Sequence, residues 1–141
     1  MTVLLGIDLG EKRIGVAFTD ETGSIAFPHS MILYTSRKHV TAELKKIIAE
    51  YKPAKIIVGL PMTLKGEMGP AAKRVEEQVD YFKTVIELPW VFWDERMSTK
   101  EVDKMLISAD VSRARRKVVR DQLAAQRILQ NYVDHHSENK R

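Results

Sequence analysis

The chain has 141 residues, 44% hydrophobic and 30% charged, with a net charge of +4 and no cysteine. This is the composition of an ordinary globular domain, long enough to bury a core. It excludes disulfides, thiolate zinc sites and cysteine nucleophiles, and no apolar run approaches the roughly 18 residues of a membrane span. The N-terminus enters a strand with no charged leader or cleavage site ahead of it, so a cytoplasmic protein without membrane contact is expected.

Residues 2–9 and 13–20 read as two strands of a hairpin, both apolar and joined through Gly10-Glu11-Lys12. A third strand is expected over 24–33, with Pro28 placing it at an edge or on a bulge. Thr35 or Ser36 caps a helix to about Tyr51, with Val40, Leu44, Ile47 and Ile48 as its apolar stripe and Pro53 beyond its end. The β-branched run 55–60 suits a buried parallel strand. After the loop 61–69, Pro70 opens a helix to about Val85. Residues 90–94 form a fifth strand, Ser98-Thr99-Lys100-Glu101 is a capping box for a helix to about Ser108, and 113–135 form the last helix. The expectation is one α/β domain over 1–135, a mixed five-stranded sheet flanked by helices, with a polar tail at 136–141. Helical crossovers make the first, fourth and fifth strands parallel, and ligands gather at the carboxyl ends of such strands.

Three carboxylates resist a purely structural explanation. Asp8 interrupts an apolar strand, where a carboxylate costs several kcal/mol unless compensated; an Asp-x-Gly turn is the alternative. On a helical wheel Asp121 lies within about 40° of Ala125, Ile128 and Tyr132, near the centre of the apolar face. A buried salt bridge to Arg13 or Arg96 is the alternative there. Glu95 follows the fifth strand beside Asp94, and alternation does not decide which of the two acids faces inward. Three such acids point to a divalent-metal site, since magnesium takes hard oxygen ligands and two ions can drive phosphodiester hydrolysis without a nucleophilic side chain.

Charge is segregated. Residues 112–141 carry eight Lys/Arg against three acids, +5, whereas the other 111 carry 15 bases and 16 acids, −1. Arg113, Arg116, Lys117 and Arg120 lie to one side of Asp121, so a polyanion held there reaches the acid.

The blocks Gly6-Ile7-Asp8-Leu9-Gly10 with Lys12-Arg13-Ile14-Gly15-Val16-Ala17, Val58-Gly59-Leu60-Pro61 with Gly66 and Gly69, Asp94-Glu95-Arg96, and Asp121-Gln122-Leu123-Ala124-Ala125 occur in this order. With them the chain resembles the YqgF/RuvX family, Holliday-junction-resolvase-like proteins also described as pre-16S ribosomal RNA nucleases, over about residues 4–132. The resemblance implies an RNase H-like fold and a site for two Mg²⁺ or Mn²⁺ ions. Asp8 matches the acid that bridges them, Glu95 rather than Asp94 the second acid, and Asp121 the acid of the last helix. Lys12, Arg13 and Arg96 match basic positions beside the site. Thr63, Lys65 and Ser98 depart from the family's Asn, Asp and Thr, which bears on substrate preference. The implied activity is a metal-dependent nuclease acting on structured RNA such as the 5′ end of pre-16S rRNA, or on branched DNA, as a monomer or homodimer. A phosphotransferase sharing the first-strand turn, and a nucleic-acid-binding module with little catalysis, are the competing readings.

Overall fold

The computed structural model describes residues 2–94 and 112–139, with backbone alone for 113–122 and 137–139. Eight elements follow in chain order: β1 (Leu4–Leu9), β2 (Arg13–Thr19), β3 (Ala26–Leu33), α1 (Arg37–Tyr51), β4 (Lys55–Leu60), α2 (Pro70–Val85), β5 (Trp90–Asp94) and α3 (Arg113–Asn139). The expected helix at 98–108 lies outside the described residues. Among the described residues, no helix is long and apolar enough to cross a membrane.

The five strands form one sheet in the order β3-β2-β1-β4-β5. β1 and β2, and β2 and β3, are antiparallel; β1 and β4, and β4 and β5, are parallel, as the crossovers require. Pro28 sits on the edge strand at a shift of register: Ala17 faces Pro28 while Val16 faces Ser30, so His29 is the extra residue. Proline has no N–H to donate, and an edge strand at a bulge is where that loss is tolerated.

Side-chain alternation divides the core in two. Leu5, Ile7 and Leu9 of β1 join Ile14, Val16, Ile56 and Val58 in a cluster with Val40, Leu44 and Ile47 of α1 and Val75, Val79 and Phe82 of α2. On the other face Leu4, Ala17 and Ile57 pack with Ala125, Ile128, Leu129, Tyr132 and Val133 of α3. The wheel over the last helix thus identifies its buried face. Burial of the Ile128 and Leu129 side chains contributes about 1.5–3 kcal/mol each to docking α3.

Helix ends follow local chemistry. The Ser36 hydroxyl accepts the His39 amide at 3.0 Å, and α1 stops at Lys52 in the left-handed region (φ 48°), just before Pro53. α3 runs four residues beyond the expected end at 135. There the His136 ring lies 4.0 Å from that of Tyr132, and its Nδ1 is 3.0 Å from the Tyr132 carbonyl oxygen. The third strand starts at Ala26 rather than 24, because residues 20–25 close the hairpin around Asp20. The Asp20 carboxylate accepts the Ser24 amide at 3.0 Å, the Thr22 hydroxyl at 2.9 Å and the Ile25 amide at 3.3 Å.

Two predictions concern these contacts. A Cβ at Gly6 would lie 2.8 Å from Leu129 Cβ and 3.2 Å from the Ala125 carbonyl oxygen. Gly6→Ala therefore forces β1 and α3 apart and is expected to lower stability by about 1–3 kcal/mol in urea unfolding; an unchanged midpoint would contradict the packing. The donors around Asp20, the Ser24 amide foremost, hold its carboxyl below the usual carboxylate value of 3.8. Because the folded value is the lower one, the turn's stabilisation is complete above pH 3.8 and is lost as pH falls through the folded value. The NMR shift of the Ser24 amide is expected to titrate below pH 3.8, and not to titrate in Asp20→Asn.

Candidate active site

Alternation on β1 sends Leu4, Gly6 and Asp8 to the α3 face, with Asp8 half-buried at the carboxyl end of the strand and opposite Gly15 of β2. Two glycines bracket it. Gly6 admits α3, as described above. Gly10 admits the return of the chain: its amide donates to the Arg13 carbonyl at 3.0 Å, and a Cβ there would lie 2.5 Å from that oxygen. Any larger residue at Gly10 would collide with main chain.

The direction of α3 across β1 follows from three contacts. Leu129 and Ala125 press on Gly6. Lys55, whose partner in register is Leu4, holds its Nζ 5.3 Å from the Tyr132 ring centroid. The later turns of α3 therefore lie toward the start of β1, and its earlier turns toward the end. From Ala125 four residues back, about 6 Å along the axis, is Asp121. From Gly6 two residues on, about 6.6 Å along the strand, is Asp8. The backbone positions of the two acids thus advance in the same direction.

β5 supplies the third side. Gly59 is level with Asp8 and pairs with Trp93, so Trp93 lies about 10 Å from Asp8, two strands across. Trp93 and Val91 pack on the α3 side, with the Trp93 ring edge-on to Tyr132 at 5.5 Å; Trp90 and Phe92 pack on the α1–α2 side. The pleat assigns exposed Asp94 to the α1–α2 side, away from the face of Asp8. The next residue in the chain, Glu95, lies with Arg96 outside the described residues.

Of the expected cations, Lys12 is exposed in the β1–β2 turn and Arg13 is exposed at the first position of β2. The Lys12 carbonyl accepts the Tyr34 amide at 2.8 Å, which ties the end of β3 to this turn. Arg113, Arg116, Lys117 and Arg120 occupy the first turns of α3, the end that lies toward the carboxyl end of β1. Among the described residues no three metal-ligating side chains gather; Glu95 and the Asp121 side chain lie outside the described residues.

One residue at this edge has no signature in the sequence. Arg74, half-buried on α2, donates from Nη2 to the Leu9 carbonyl at 3.2 Å, one residue beyond Asp8. It flanks the buried row of Ala72, Val75, Val79 and Phe82 on a helix with six charged residues, so nothing in the pattern separates it from solvated neighbours.

The sheet order and strand directions are those of RNase H-like resolvases. Thermus thermophilus RuvC, in complex with a Holliday junction substrate, shares the fold with a TM-score of 0.60 at 13% identity, covering 97% of this chain and 96% of that one. The fowlpox virus Holliday junction resolvase does so at 0.53 and 11%, covering 94% and 99%. At the level of sequence, the RuvX family (Holliday junction resolvase) matches residues 2–135. A Thermoanaerobacter pseudethanolicus protein named "Putative pre-16S rRNA nuclease" is 45% identical over 132 residues, 93% of this chain and 95% of its own. A Carboxydothermus hydrogenoformans protein of the same name is 42% identical over 136 residues, 96% and 99%. The chain belongs to the RuvX family of nucleases.

Proposed function

We propose that this protein is a cytoplasmic, divalent-metal-dependent nuclease that hydrolyses phosphodiester bonds in maturing the 5′ end of pre-16S ribosomal RNA. The observation that carries the reading is Asp8: a half-buried carboxylate at the carboxyl end of the central strand, on the face where the early turns of α3 arrive. A hard-oxygen donor at a sheet edge suits Mg²⁺ or Mn²⁺, ions that keep part of their shell for substrate phosphate. Asp8, Glu95 and Asp121 are the proposed ligands of two such ions, which when bound supply an activated water and charge stabilisation at the leaving oxygen.

The remaining residues bind and orient. Lys12 and Arg13 in the first turn, Arg96 after β5, and Arg113, Arg116, Lys117 and Arg120 on α3 are proposed to hold the nucleic-acid backbone along this edge. Phosphate contacts fix register without reading sequence, so substrate choice rests on shape. RNA is favoured as substrate because relatives above 40% identity across nearly the whole chain carry the rRNA nuclease name. The family's own description, Holliday junction resolvase, makes branched DNA the second reading. A pure binding module gains nothing from three carboxylates that repel phosphate.

Cleavage of a 5′-extended 16S precursor and of a four-way DNA junction, each with Mg²⁺, Mn²⁺ or EDTA, tests the proposal. Wild type is expected to give metal-dependent products, with the RNA preferred. Asp8→Asn is expected to lose more than about 100-fold, the upper range for losing an outer-shell partner alone. Mg²⁺ is expected to raise the Tm of wild type but not of Asp8→Asn. A fully active Asp8→Asn would sink the metal site, and preference for the junction would transfer the reading to DNA.

A further inference from the structure

We infer that Arg74 is a phosphate anchor of this site, its guanidinium holding the substrate backbone in the crevice between the carboxyl ends of β1 and β4. The inference rests on the nuclease reading and adds to it a residue from the opposite face of the sheet.

The crevice follows from topology. β1 and β4 are adjacent and parallel, but the chain leaves β1 toward β2 and leaves β4 toward β5. Connections that part in opposite directions open a cleft at the carboxyl ends, where ligands of such sheets bind. The Leu9 carbonyl lies at this end of β1, and Arg74 reaches it from α2.

The bonding of Arg74 is incomplete for a half-buried cation. A guanidinium carries five N–H donors. Among the described residues Arg74 uses one, on the Leu9 carbonyl, and forms no ion pair. An acidic partner was at hand on its own helix, since Glu77 stands three residues on, the spacing at which helical side chains meet. The side chain turns to the sheet edge instead, leaving Glu77 exposed. Gln78, one turn on, keeps a buried Oε1 with no hydrogen-bond partner, so Arg74 does not serve it either. What remains is a planar cation with four donors in hand, fixed by a single main-chain bond one residue from Asp8. A phosphodiester oxygen pair matches that fork, and Arg binds phosphate bidentately where Lys acts as a point charge. With α3 basic on one face and Arg74 reaching over from the other, the backbone is clasped across the sheet edge.

The alternative is an arginine that only caps the Leu9 carbonyl. Binding of a fluorescein-labelled 5′-extended 16S precursor in EDTA separates the two, measured across a salt series for wild type, Arg74→Gln, Arg74→Lys and Asp8→Asn. Loss of one phosphate contact is expected to weaken binding by Arg74→Gln about tenfold at low salt, and to flatten the slope of log K on log salt by about one. Arg74→Lys is expected to restore the slope but only part of the affinity. Under Mg²⁺ the loss in Arg74→Gln is expected in KM more than in kcat. Equal affinity and slope in folded Arg74→Gln would overturn the anchor, as would a fall in kcat alone. Arg74→Lys keeps the stem packing and decides the matter if Arg74→Gln does not fold: full wild-type affinity in Arg74→Lys would then overturn the inference, because a point charge does not replace a bidentate fork. Asp8→Asn is expected to bind RNA at least as well as wild type while losing cleavage. Wild type that neither binds nor cleaves would remove the nuclease reading and the anchor together, whereas cleavage with an unchanged Arg74→Gln removes the anchor alone.

Discussion

The close approach of α3 to β1 at Gly6 is the constraint on which the rest depends. A hydrogen in place of a side chain lets Leu129 and the Ala125 carbonyl rest on the strand, where a Cβ would stand 2.8 Å from Leu129 Cβ. Docked there, α3 completes the second core and commits its earlier turns to the carboxyl end of the sheet. On the other side of Asp8, Gly10 lets the chain double back against the Arg13 carbonyl. The backbone that carries the acid is therefore framed by two close approaches that exclude larger residues. A site that must present oxygen atoms at fixed separations needs that rigidity more than it needs any one favourable contact.

Much of this was legible because it is a consequence of burial. Alternation and β-branched runs located all five strands, and the wheel over the last helix picked out Ala125, Ile128 and Tyr132, which are 1%, 1% and 3% exposed. Pro28 pointed to an edge or a bulge for a covalent reason, its missing N–H, and both occur. The end of α3 was not legible. His135 closes the expected helix and His136 opens a polar stretch that reads as a tail, yet both rings gather on Trp93, at 5.2 and 5.8 Å. That contact joins β5 to the end of α3, and a local pattern does not report it. The choice between Asp94 and Glu95 was open for a related reason: a pleat gives two faces, and only the packing of Trp90 and Trp93 says which cluster each face meets. Arg74 was invisible because a cation beside an apolar row looks the same whether it faces water or a strand end.

The charge pattern acquires a meaning once the topology is known. The last 30 residues hold +5 and the first 111 hold −1. Read linearly, that is a basic end on a near-neutral chain. In the fold the basic helix lies across the first strand, so the earliest and latest parts of the chain meet where Asp8 stands. Two unit charges about 4 Å apart interact by roughly 1 kcal/mol in water and roughly 4 kcal/mol at the effective dielectric of a protein surface. Carboxylates able to hold hard cations would, by the same arithmetic, repel a polyanion. In the proposed site, cations on both faces of the sheet would offset that repulsion.

This division of labour explains why the proposed site draws on so many elements. An acid and a base adjacent on one helix pair with each other, as Glu43 and Lys46 do at 3.3 Å. Such a pair is worth little and is available to neither metal nor phosphate. An acid and a cation on different elements, such as Asp8 on β1 and Arg74 on α2, are kept from that pairing by the sheet and brought to one edge by its crossovers. Arg74 shows the principle in a single residue. With Glu77 within reach on its own helix, it makes its bond to a main-chain carbonyl on β1, and its charge stays uncompensated by any described side chain at the edge where a phosphate would arrive.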